Sequence, residues 1–527
     1  MDAAVAESSA AAATEETPLR RPMLEGAFLD RAGAATAARL GGFLAEPSPA
    51  AALRDWFGEA ALAVLLRHDG SAAGRREAMA RLEEAADRDI AALDRMLTAQ
   101  LDAILGHERL RRLEGSWRGL HWLAERIPLG ARIKVRVLVL RWPELCRDFD
   151  RAAEFDQSQL FRKVYEEEFG TPGGEPYGML CGDWEVRPFP GPGAPTDDIA
   201  GLDQLAAVAA AAFAPTAVAA HPALFGLDEY ASLGAAVELT EPIRGPDRRR
   251  WRSLQEREDT RFLAVVLPRA MARPPWPDSG SRADRFRYRP NPGQPTARVW
   301  MSPVYALAAT AMRAFALHGW PADIRGAVVS ETPLGGVVDS LPWERLPADP
   351  AGRPPRPPVE VALTDEQERQ AVEAGLIPLV GLEGLPEAVF AAAPSLHRPP
   401  RMAGANAAVA NANQRLSAQF NALLCVSRLA HCIKLMGRDM TGSFRTAEAI
   451  EERLAQWLLR FTSASSGAAD ATGARFPLRD AQVAVVEKPG QPGVFGCTIH
   501  LQPHFQLDEV GAAFRLVTDL QPPRAAA

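Results

Sequence analysis

Apolar residues recur at helical spacing over Ile90, Leu93, Leu97, Leu101 and Ile104, with Arg, Asp and Gln between them, which predicts an amphipathic helix that buries this face. A shorter stripe of Met23, Leu24, Ala27 and Phe28 runs through RPMLEGAFLDRAGAAT, with Leu29 next to it. One short stripe serves equally to dock a helix on its own core or to enter a partner's groove. Further on, Trp117 and Trp122 lie in the helical stretch LEGSWRGLHWL, and Gly130 precedes an alternating run. In that run Ile133, Val135, Val137 and Val139 are separated by Lys134 and Arg136, predicting a strand with one apolar face and one that begins polar. From Glu154 the segment EFDQSQLFRKVYEEEF predicts a charged helix, which Pro172, Gly173, Gly174 and Pro176 bring to an end.

The last third of the chain repeats this mixture. A helix is expected over 411–439, with Leu416, Phe420 and Leu423 on one face and Arg415, Arg428, Lys434 and Arg438 elsewhere. Ala481 to Glu487 leads into KPGQPG, after which Phe495, Cys497, Ile499 and Leu501 alternate with polar or small residues, the pattern of a hairpin. A third strand carries Phe514 and Leu516. Three strands at a chain end leave an edge that must be covered, blunted or paired with another chain, so 481–520 is a candidate for strand exchange. On that expectation, replacing Ile499 and Leu501 with Asp leaves a soluble monomer that cannot assemble. Pro-rich stretches at 272–295 and 341–360 predict long loops, because proline withholds ladder donors. The fold class is mixed α/β and multi-domain: an extension over 1–60 with a short amphipathic helix, a first region over 61–360 and a last region over 361–527.

The length of 527 residues agrees, since single cores stop growing at about 250–300 residues. A hydrophobic fraction of 47% with 24% charged residues is that of a globular protein, and a net charge of −7 gives no footprint for a phosphate backbone, so nucleic acid is not an expected partner. The apolar run Leu205 to Ala214 is too short to span a bilayer and ends at Pro215, so membrane insertion is not expected either. Residues 1–20 carry four acids before the first Arg and lack the pattern of a secretory signal. Cys146, Cys181, Cys425, Cys432 and Cys497 are scattered and never at CxxC spacing, which predicts apolar fillers in a reducing compartment, the cytoplasm.

No chemistry-bearing motif emerges. The chain has no phosphate loop, no H-E-x-x-H, no G-x-S-x-G elbow and no Cys/His cluster at metal spacing. His431 and Cys432 are adjacent and would point about 100° apart on a helix. His500 and His504 lack a third ligand nearby. The carboxylates of YEEEF and LQEREDTRF read as solvated faces and inter-subunit ion pairs rather than a convergent acid/base site. No catalytic residue, cofactor or metal is expected, and a structural subunit that assembles with partner chains fits best.

Long strings in the expected order carry a resemblance: LEGSWRGLHWL (113–123), EFDQSQLFRKVYEEEFGTPGGEPYGMLCGDWEV (154–186), HPALFGLDEY, WRSLQEREDTRFLAVVLPR, NANQRLSAQFNALLCVSRLAHCIKLMGRD, FPLRDAQVAVVEKPGQPGVFGC and LQPHFQLDEV. Over about 85–520 the chain resembles the large subunit of the type VI secretion contractile sheath (TssC/VipB). The resemblance implies pairing with the small sheath subunit (TssB/VipA), helical stacking with other copies of itself around the Hcp tube, and a baseplate from which contraction starts. It implies that strands within 481–520, bearing Phe495, Ile499, Leu501, Phe514 and Leu516, join a sheet completed by neighbouring subunits. It also implies contact of the ClpV unfoldase with an amino-terminal helix, whose matching place is Met23, Leu24, Phe28 and Leu29. Residues 1–20 and the Pro-rich stretches depart from a minimal family member. A sheath-like paralogue that caps assembly, and more remotely an enzyme with an unrecognised site, stay open at this point.

Overall fold

The computed structural model describes residues 18–503, apart from 30–33, 172, 192, 235–236, 279, 281–285, 329–333, 346–348, 351–354, 401–410, 412–413, 415–416, 442–445, 464–475 and 488–494, together with the strand at 514–520. The chain forms two compact units, one of residues up to Leu110 with Pro275–Ala297, the other of Arg111–Pro274 with the remainder from Arg298.

The first unit is helical. A short helix α1 (Arg20–Leu24) is followed by a single 3-10 turn at Ala27–Leu29, and the unit's longest element is α2 (Ala72–Leu105), whose first turn is capped by the Ser71 hydroxyl accepting the Gly74 N–H at 2.9 Å. The helix expected around residues 90–104 is therefore present, but the face expected to be buried is not the core face, and of its residues Leu93 and Leu101 are only half-buried. Ile90, Leu97 and Ile104 are exposed, while Ala78, Leu82, Ala85, Asp89, Asp94 and Thr98 are buried. The cause is polar satisfaction. Asp89 accepts from Arg20 at 2.7 and 2.9 Å and from the Trp56 indole at 3.0 Å, and the Arg289 N–H reaches the Thr98 hydroxyl at 3.4 Å. Saturated in this way, these polar groups tolerate burial that periodicity alone would assign to the leucines.

The second unit begins within helix α3 (Glu108–Glu125), from Arg111, and is organised on a four-stranded parallel sheet: β1 (Leu180–Val186), β2 (Thr216–Ala220), β3 (Leu263–Leu267) and β4 (Ile377–Pro378), in that order. TAVAA and LAVVL are apolar on both faces because both faces are covered. Val218, Ala220, Leu263, Val265 and Leu267 face helices α4 (Trp142–Arg151) and α5 (Asp198–Ala212) in one core. Ala217, Ala219, Ala264 and Val266 face α6 (Pro303–His318) and Trp122 of α3 in a second.

A third core joins helices α7 (Phe420–Thr441) and α8 (Ala447–Leu459) to an antiparallel sheet of β5 (Leu478–Glu487), β6 (Phe495–Pro503) and β7 (Phe514–Leu520). The helix expected over 411–439 is interrupted at Ala418 and Gln419, where Gln419 bridges Pro394 and the Phe420 N–H donates to the Ala393 carbonyl at 2.8 Å. Leu416 lies outside the described residues. The strand expected over Ile133–Val139 is not formed: the segment has neither helix nor turn and joins no ladder among the described residues. The helix expected from Glu154 is broken into short turns, restarted by the Ser158 hydroxyl accepting the Phe161 N–H at 3.1 Å and passing through a π-turn at Arg162–Glu166. Among the described residues no helix is long and apolar enough to cross a membrane.

Candidate assembly interface

The terminal sheet is pinned from one side. In its ladder Val483 faces Ile499, Val485 faces Cys497 and Ala481 faces Leu501, while Leu516 and Phe514 stand opposite Ile499 and Leu501 on the third strand. Phe495, Cys497, Ile499 and Leu501 are all buried against α7 and α8, where Leu429, Ile433, Ile450 and Leu454 meet them. Their side chains hold the sheet to its own helices, so any addition of a neighbour's strand goes through backbone at a sheet edge. Of Phe514 and Leu516 the ladder position is described, and they lie on the outermost strand.

The two edges differ. At the β5 edge, the Ser463 N–H donates to the Leu478 carbonyl at 2.9 Å, the Leu478 N–H donates to Phe461 at 3.2 Å, and the Glu451 carboxylate of α8 accepts the Val485 N–H at 2.9 Å. That edge is covered at one end and capped near the other. Among the described residues nothing pairs with the outer edge of β7. Glu451 was not legible as a functional residue, because i to i+34 capping leaves no local pattern.

The amino-terminal stripe is split. Met23 is buried, Leu24 and Phe28 are half-buried, and Leu29 is exposed beyond Gly26, whose φ of +85° breaks the helical path.

The densest charge cluster stands at the carboxyl end of the parallel strands, the place where open α/β sheets commonly hold ligands. There the Arg269 guanidinium forks onto Glu185, with one contact at 2.7 Å, and also reaches Glu360 at 3.2 Å. Burial works to raise Glu185, yet the arginine overrides it and holds the carboxyl below its ordinary value, whereas burial keeps Glu360 above its own. Burial also pushes His221 down to about 4. The cation is shared by two carboxylates, so the cluster ties β1 to the segments after β3 and before β4. Among the described residues no three His, Cys, Asp or Glu side chains converge as metal ligands.

Residues 87–397 match the family described as EvpB/VC_A0108, tail sheath N-terminal domain, and residues 409–520 match its tail sheath gpW/gp25-like domain. The chain belongs to the VipB sheath family. It is a large subunit of a type VI secretion sheath. A relative from Pseudomonas aeruginosa, described as type VI secretion system sheath protein TssC1, is 34% identical over 436 residues, 82% of this chain and 85% of the relative. The gap between the two matched segments, 398–408, precedes α7, and the gpW/gp25-like match takes in α7, α8 and all three terminal strands. As a sheath protein the chain is structural.

Proposed function

We propose that this sheath subunit pairs with the small sheath subunit (TssB/VipA) and that the heterodimers stack helically, copy upon copy, around the Hcp tube in the cytoplasm. Contraction released at the baseplate then drives the tube and its spike outward. The observation that carries the reading is the outer edge of β7: a short sheet, covered on its β5 side, presents its last strand at the end of the gpW/gp25-like segment. An added strand is held by many main-chain hydrogen bonds that do not depend on side-chain detail, so the link survives while packing between layers changes. Contacts that do not close on themselves generate helical polymers, and layers with two packing arrangements allow contraction to spread.

An enzymatic role finds no support in the charged cluster, which is spent on internal ion pairs. The stripe of Met23, Leu24, Phe28 and Leu29 is the proposed contact for the ClpV unfoldase, and since Met23 is buried and Arg20 is clamped to Asp89, the segment has to undock to be grasped.

Co-expression with the small subunit, followed by electron microscopy, tests the reading. Long hollow tubes are expected. Short oligomers alone would favour a capping paralogue, and a chain that stays monomeric beside the small subunit would overturn the proposal.

A further inference from the structure

Residues 132–140, where the sequence predicts a strand, carry neither helix, turn nor ladder. The run ARIKVRVLVLR is free of helix and turn, and among the described residues no backbone N–H or C=O of 132–139 meets another backbone group. The Leu140 carbonyl accepts only the Trp184 indole, at 3.1 Å. Val137 is 61% exposed, Leu138 55% and Val139 92%. Consecutive apolar residues over 137–140 put apolar side chains on both faces, the composition of an interior strand rather than of a surface loop.

Side chains alone hold the segment, and they do so in a regular order. Lys134 reaches the Glu175 carboxylate at 2.6 and 2.7 Å, Arg136 pairs with Glu168 and lies 3.1 Å from the Tyr177 hydroxyl, and Leu140 meets Trp184. The sequence offsets of three of these tethers are 41, 41 and 44, so the segment runs in the same direction as 175–184, the approach to and body of β1. β1 is itself the end strand of the parallel sheet. Two backbone rows of unmet donors and acceptors thus lie in one region of the unit.

We propose that residues 132–140 are a docking strand that accepts an extended β-strand from a different polypeptide, extending the parallel sheet beyond β1. Main-chain complementarity requires the occupant to be a strand, and the apolar run requires alternating apolar side chains on it. Within the segment Lys134 and Arg136 are taken by Glu175 and Glu168, which leaves Arg132 to favour an acidic residue opposite it on the fitting strand. A second copy of this chain is a poor donor: its described strands TAVAA and LAVVL are paired on both edges, and the open edge of β7 is the contact already assigned to stacking. The proposal rests on the reading that the chain assembles with a second kind of sheath chain, and it assigns that chain a contact separate from β7.

Hydrogen exchange on the full chain, alone and co-purified with the small sheath subunit, tests this. The amides of 132–140 should exchange freely in the single chain and slow by at least about tenfold in the complex, as ladder amides do. A complex that forms while these amides stay fast overturns this proposal and leaves the sheath assignment standing; no complex at all overturns both. Slowing in the single chain that grows with its concentration would identify a second copy as the occupant and overturn the assignment to a different chain. Val137→Pro and Leu138→Pro remove one donor from each edge of an unladdered segment. Each should leave melting of the isolated chain unchanged, and at least one should weaken the complex by about tenfold or more. Two variants that bind as tightly as the parent would refute the docking strand.

Discussion

Gly115 and Gly119 show how a residue decides a contact. A Cβ on Gly115 would sit 2.2 Å from the Trp300 carbonyl oxygen, and one on Gly119 would sit 2.5 Å from the Tyr305 ring, so α3 lies against the strand Val299–Met301 only because these positions lack side chains. In an exposed helix Gly→Ala gains about 1 kcal/mol. Here Gly115→Ala should instead cost about 2–4 kcal/mol, since the obstacle is backbone that cannot rotate away, and a urea titration measures the sign directly. His431 supplies a second residue-scale test. It is fully buried, its Nε2 stands 3.0 Å from the Ala212 carbonyl, and burial pushes it down to about 4. Neutral when folded, it takes up a proton on unfolding once the pH is below about 6.5, so its contribution to stability falls from pH 6.5 to 4, by up to about 3 kcal/mol. His431→Gln should flatten part of that loss, with His221 keeping another part, as denaturant midpoints at pH 7 and pH 5 will show. The string GSWRGL was legible as a family mark, but its physical reason, two close approaches, exists only once the strand Val299–Met301 and α6 are in place.

At the scale of elements, the sequence predicts existence better than surroundings. The terminal hairpin and third strand lie where alternation places them, because a break in the sequence rich in Pro and Gly and a period of two are local signals. Of the helix at 72–105 only the part over 90–104 was legible, and its buried face was not, since Asp89 and Thr98 are paid for by groups far along the chain. β2 and β3 escaped notice because a strand covered on both faces has no alternation to read. Burial also revises what the inward residues of β6 do. Ile499 and Leu501 are fully buried against α7 and α8, so Asp at both positions puts two charges into an apolar core at a cost of several kcal/mol each. The double variant should lose the third core outright instead of remaining a soluble monomer, with near-ultraviolet circular dichroism and protease sensitivity at 420–503 as the measure. Val486→Asp, exposed on the neighbouring strand, should fold normally and serves as the control.

The whole molecule joins units of unequal strength. The second unit rests on three cores, whereas the first has one small cluster of Phe57, Leu62, Leu82 and Ala85, with Leu19, Met23 and Ala78 also buried among its described residues. The first unit also leaves Ile90, Leu97 and Ile104 of α2 in solvent, apolar area that stabilises nothing while the chain is alone. Because ΔG of a unit scales with what it buries, the two should not melt together. Calorimetry of the isolated chain should show a smaller transition first, with early exchange of α2 amides and proteolytic cuts confined to residues up to 110 and 275–297. One cooperative transition shared by both units would contradict this. Anything that binds the folded first unit raises its stability by mass action, so in an assembled sheath the early transition should shift upward or merge with the main one. If it stays where it was, α2 is bare in the polymer too, and the exposed stripe has no role in holding the sheath together.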